Sequence, residues 1–76
     1  MINLSNKDLI MLENLLGVNF TIRISKDKMK MEIIESVGDY EEYYEFGVDK
    51  ANALISSFQQ SRSCVRNTYI DLALNK

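Results

Sequence analysis

The sequence has no histidine, no tryptophan and no proline, and one cysteine among 76 residues. Without histidine, the triads and metal sites built on imidazole are excluded. With Cys64 as its sole thiol, the chain can form no internal disulfide, and a zinc site of Cys and His ligands lacks its donors. Glycine and alanine are scarce, at three residues each. Asn, Ile, Lys and Tyr are abundant, a bias that suits an AT-rich bacterial or phage genome.

No stretch approaches the ~18 to 20 apolar residues of a membrane span. Met1 to Ser5 lack the basic and apolar regions of a secretory signal. A lone thiol fits a reducing compartment, so the expected location is the cytoplasm. The apolar share of 46% and charged share of 26% are those of an ordinary globular domain. The length allows one compact domain, residues 1–76. So small a core, with no disulfide or metal, must pack well or lean on a partner, and homodimerisation is one such route.

The hydrophobic pattern predicts six elements. Ser5 and Asp8 make a capping box, Leu4 and Leu9 a hydrophobic staple, and Leu9, Leu12, Leu15 and Leu16 a helical stripe ending before Gly17. Val18, Phe20, Ile22 and Ile24 alternate with polar residues as a strand. Met29, Met31, Ile33 and Val37 form a second strand, with Lys26-Asp27 as the turn between the two. Both methionines are expected to fill the core. Gly38-Asp39 is a hairpin turn into a third strand, Tyr40 to Gly47. Asp49 is expected to cap a helix whose stripe is Ala51, Leu54, Ile55 and Phe58. The tail fits two patterns. Thr68, Ile70, Leu72 and Leu74 alternate as a strand, while Val65, Tyr69 and Leu72 fit a helix. The β-branched Thr68 and Ile70 favour the strand. The expected fold is α+β, in the order αβββαβ, with a helix as the alternative for the last element. A small antiparallel sheet of three to four strands carries two helices on one face.

Register follows from the turns. With Lys26-Asp27 as a two-residue turn, Ile24 meets Met29, Ile22 meets Met31 and Phe20 meets Ile33. With Gly38-Asp39, Val37 meets Tyr40, Ile33 meets Tyr44 and Met31 meets Phe46. The second hairpin also sets Glu35 against Glu42 and Glu32 against Glu45. Like charges directly across strands destabilise by a few tenths to ~1 kcal/mol a pair. Glu35 and Glu42 are expected beyond the helix layer, on an inward face open to water.

The net charge of −2 conceals a segregation. Glu32, Glu35, Asp39, Glu41, Glu42, Glu45 and Asp49 form a run of seven acids without a base, and the other 58 residues carry nine bases and four acids. Tyr40, Tyr43 and Tyr44 are interleaved with the acids. Alternate strand residues lie about 6.6 Å apart, close to twice the ~3.4 Å phosphate rise of a DNA strand. Such a hairpin is either a solvated face or an acidic, Tyr-rich docking surface for a cationic protein. A divalent-cation site at Glu35, Asp39 and Glu42 lacks the ligand count of a calcium loop. Carboxylate acid/base catalysis needs a cleft. Arg23, Lys26, Lys28 and Lys30 form a basic patch without the aromatics of a nucleic-acid platform. Cys64, flanked by Arg62 and Arg66, has no His or resolving Cys beside it.

The order of elements and the acidic surface resemble those of the anti-CRISPR proteins, small phage-encoded inhibitors of RNA-guided nucleases. The comparable stretches are Asp8-Leu9-Ile10, Asn19-Phe20-Thr21-Ile22-Arg23-Ile24-Ser25 and Ile55-Ser56-Ser57-Phe58. The resemblance implies binding to a basic channel that holds nucleic acid. The segment Arg62 to Arg66 is basic where that family has an acidic insert. The expected function is therefore non-enzymatic inhibition, with no cofactor and no direct nucleic-acid contact. The docking residues would be Glu32, Ile34, Glu35, Asp39, Tyr40, Glu41, Glu42, Tyr43 and Glu45. The alternative is a small homodimeric structural or regulatory module joined through Ile34 and Tyr43 on the outer sheet face.

Overall fold

The computed structural model describes residues 1–74. Its elements run α1 (Asn6–Leu16), β1 (Phe20–Ile24), β2 (Lys30–Val37), β3 (Tyr40–Gly47), α2 (Val48–Gln60), a 3-10 turn (Arg62–Cys64) and α3 (Val65–Leu74). The strands form an antiparallel sheet in the order β1-β2-β3. The fold is α+β, with the order αβββαα.

α1 begins as its capping residues predict, with the Asp8 amide donating to Ser5 Oγ at 3.2 Å. It ends at Gly17, whose φ of +149° lies in the range that favours glycine. The hairpin turn also needs glycine, since Gly38 has φ +60° at the first of the two turn positions. The cap of α2 differs from expectation. β3 passes into the helix without a linker, so Gly47 is the N-cap and Asp49 lies in the first turn.

The first hairpin corrects the expected register. Ile24 meets Met31, Ile22 meets Ile33 and Phe20 meets Glu35, a shift of two residues. The cause is a longer turn. Ser25 Oγ donates to Asp27 Oδ1 at 2.6 Å, and the Met29 amide donates to the same carboxylate at 3.1 Å. The Lys30 amide donates to Ser25 Oγ at 3.1 Å, and Lys28 takes φ +59°. A two-residue slip preserves which side chains face inward, so the apolar face survives. Met29 does not join the core. It sits in the turn, 46% exposed, while Met31 is fully buried.

The last element is a helix, which corrects the expected strand. Val65 and Tyr69 are buried, Leu72 packs against the core, and Ile70 and Leu74 of the strand pattern are exposed. Ser57 and Thr68 hydroxyls lie 2.9 Å apart, and Lys50 Nζ donates to the Leu72 carbonyl at 3.2 Å, fixing α3 on α2. Burying Tyr69 among aromatics outweighs the local preference of Thr68 and Ile70. Its ring stands edge-on to Phe20 and Tyr44, with centroids 5.5 and 5.9 Å away.

The core lies between the helices and the inner sheet face. Leu12, Leu16, Ile22, Met31, Ile33, Phe46, Ala51, Leu54, Ile55 and Phe58 are all buried there. Ile2 is buried with them, and its amide donates to the Lys28 carbonyl at 2.8 Å.

Candidate interaction surface

Alternation along β2 and β3 divides the acids between two faces. The register sets Ser36 against Glu41, Ile34 against Tyr43 and Glu32 against Glu45 on the outer face. Glu35 and Glu42 pair on the inner face. Asp39 is exposed in the turn, and Tyr40 follows it, 60% exposed.

On the outer face Glu41, Tyr43 and Glu45 are all exposed. Tyr43 donates its hydroxyl to Glu41 Oε1 at 2.7 Å. That bond, followed by repulsion from the Glu41 charge, raises the phenol above its ordinary pKa. Ile34 departs from expectation: it is 4% exposed. It lies between Thr21 of β1 and Tyr43 of β3 in the sheet register. Ile34 therefore offers little surface to a partner, and the outer-face dimer contact loses one of its two residues.

The like-charge pair Glu32 and Glu45 is relieved by cations that sequence reading placed in a separate patch. Arg23 stands across from Glu32 on β1. Lys30 Nζ lies 3.7 Å from Glu45 Oε1, both side chains exposed. A shallow depression of about 310 Å³ runs between Arg23, Lys26, Lys30, Glu32 and Glu45.

The inner pair has no such relief. The strand residues that share its face are Phe20, Ile22, Ile24, Met31, Ile33, Val37, Tyr40, Tyr44 and Phe46, with no cation among them. Glu35 and Glu42 are half-buried rather than open to water, because α3 brings Tyr69 beside them. Tyr44 donates its hydroxyl to Glu42 Oε2 at 2.8 Å. This bond is the main cause of a raised Tyr44 phenol. The Tyr69 phenol is raised further, first by burial and then by the charges of Tyr44, Glu35 and Glu42. Sequence reading missed Tyr69 because its position depends on α3 being a helix. The 3.6-residue spacing of Val65, Tyr69 and Leu72 was the available signal.

Asp39 does not join Glu35 and Glu42, and no group of three or more potential metal ligands forms among the described residues. Cys64 is exposed in the 3-10 turn. None of the described helices is long and apolar enough to cross a membrane. Comparison with protein-family models, with curated proteins and with solved structures yields no match.

Proposed function

We propose that this chain is a non-enzymatic binding protein whose β2–β3 hairpin docks on a basic, nucleic-acid-binding surface of a larger protein and blocks it. One observation carries the reading. Glu41 and Glu45 stand exposed on either side of an exposed Tyr43, along a strand at the edge of the sheet. The carboxylates steer a cationic partner, and the tyrosine supplies rigid contact area once docked. Asp39, Tyr40, Glu32, Glu35 and Glu42 extend the surface around the same hairpin. The resemblance to anti-CRISPR proteins points to an RNA-guided nuclease or a similar protein of the host cytoplasm as the partner.

The test is affinity capture by the immobilised chain from a bacterial lysate. The expected partner is a nucleic-acid-binding protein that is lost when NaCl rises from 0.1 to 1 M, because the Debye length falls from about 10 to about 3 Å. An added RNA–DNA duplex should compete for it. Capture that survives Glu41→Lys together with Glu45→Lys would refute the reading.

A further inference from the structure

We infer that β3 receives an extended basic segment of its partner as a fourth strand, through main-chain hydrogen bonds along its free edge. The inference rests on the reading that this hairpin is the docking surface, and it adds how the docking is made.

The direction of the main-chain groups follows from one bond. The Ser36 amide donates to the Asn19 carbonyl at 3.0 Å, so even-numbered residues of β2 bond towards β1. Odd-numbered residues of β2 therefore bond towards β3, where their partners are Tyr40, Glu42, Tyr44 and Phe46. The amides and carbonyls of Glu41, Tyr43 and Glu45 point away from the sheet. No helix, loop or side chain among the described residues bonds to them. The opposite edge is treated differently. Ile22 of β1 also points its amide outward, and Glu13 of α1 accepts it at 2.8 Å. The β1 edge is thus capped by α1 at Ile22, whereas the outward groups of Glu41, Tyr43 and Glu45 on β3 have no partner among the described residues.

Charge selects the occupant. A second copy of β3 pairing antiparallel about Tyr43 would set Glu41 against Glu45 twice, which disfavours self-pairing. A strand with Lys or Arg opposite Glu41 and Glu45 and an apolar residue opposite Tyr43 meets complementary groups at each position. The pattern read on that face is cation, any residue, apolar, any residue, cation. The exposed Lys30–Glu45 pair is weak enough to exchange for such a cation.

The test uses the full chain labelled with ¹⁵N and two probe peptides. One repeats Lys-Thr-Val-Thr, which sets lysine and valine alternately on one face. The other has the same charge, with proline replacing valine so that it cannot extend a sheet. At ten times the Kd of the lysine–valine peptide, amide exchange at Glu41, Tyr43 and Glu45 should slow about tenfold. The proline peptide should give no such protection. Tyr43→Pro removes an outward amide without touching the β2 ladder. It should weaken the lysine–valine peptide about threefold or more beyond Tyr43→Ala. Equal binding of both peptides, or binding without protection of the three amides, overturns strand addition and leaves acidic docking standing. Failure of both peptides to bind also overturns it. The docking reading itself falls only if charge reversal leaves the captured partner in place. The peptide comparison on the unaltered chain stands even if the proline variant does not fold.

Discussion

Glu35→Gln should make this protein more stable. Glu35 faces Glu42 directly across the strands, on a half-buried face that carries Phe20, Tyr44 and Tyr69 and no strand cation. Two charges ~6 Å apart repel by about 0.7 kcal/mol in bulk water, and by more where neighbouring rings displace solvent. Removing one should therefore recover about 0.5–1 kcal/mol. Glu35→Lys, which turns repulsion into attraction, should gain about 1–2 kcal/mol. In a domain of this size each kcal/mol raises Tm by about 4–8 °C. Glu35 is the position to change, because Glu42 accepts the Tyr44 hydroxyl and should be kept. The assay is thermal unfolding by circular dichroism at 20 mM and 1 M NaCl. The gain should shrink at high salt, where the Debye length is about 3 Å. Glu32→Gln is the control. Arg23 and Lys30 already offset the Glu32–Glu45 pair, so its Tm should hold steady or fall slightly. A Glu35→Gln Tm that is unchanged or lower at 20 mM NaCl would refute the reasoning.

Glu13→Ala should cost about 1.5–3 kcal/mol in urea unfolding, because the part-buried Ile22 amide loses a charged acceptor. Gly17→Ala should cost about 1–2 kcal/mol, since φ +149° is strained for alanine and its Cβ would meet Phe20 Cδ1 at 3.1 Å. In alkaline titration at 295 nm, Tyr43, Tyr44 and Tyr69 should ionise above the ordinary phenol value of about 10. The stability they contribute is full below about pH 10 and lost as pH rises through their folded values, and Tyr69→Phe should remove the latest step. Glu41→Gln with Glu45→Gln should associate up to about 30-fold more tightly than the parent in sedimentation velocity, by relieving like-charge pairs between β3 edges.

The parts of the fold legible in the sequence are those fixed by local chemistry. Ser5 and Gly17 bound α1, and Gly38 with Asp39 sets the second hairpin and both Glu–Glu pairs. The first hairpin is harder. A Ser25–Asp27 side-chain bond organises a longer turn, and strand alternation cannot distinguish a register from one two residues away. α3 is harder still, because Thr68 and Ile70 speak locally for a strand. What decides is Tyr69 docking on Phe20, Tyr44 and Phe46, residues remote in sequence. The candidate site divides in the same way. Glu41, Tyr43 and Glu45 follow from strand parity alone. The burial of Ile34 does not follow from parity, because it sits on the outer face of the central strand with a neighbour on each side.

The two sheet edges meet one physical problem with different answers. On β1 an outward amide is satisfied within the chain by Glu13. On β3 the outward groups are left to solvent, and protection rests on charge. Lysine would guard that edge against self-pairing as well as glutamate does, since repulsion between copies depends on like sign and not on which sign. Solubility therefore does not explain why all the charge on β2 and β3 from Glu32 to Gly47 is negative. Folding does not call for Glu35 opposite Glu42, a juxtaposition whose cost the Glu35→Gln variant measures. Within the chain the negative sign serves Glu41 and Glu42, which accept the Tyr43 and Tyr44 hydroxyls, and Glu45, which pairs with Lys30. The cationic partner proposed above would add a role for the exposed acids where the main chain of Glu41, Tyr43 and Glu45 is open.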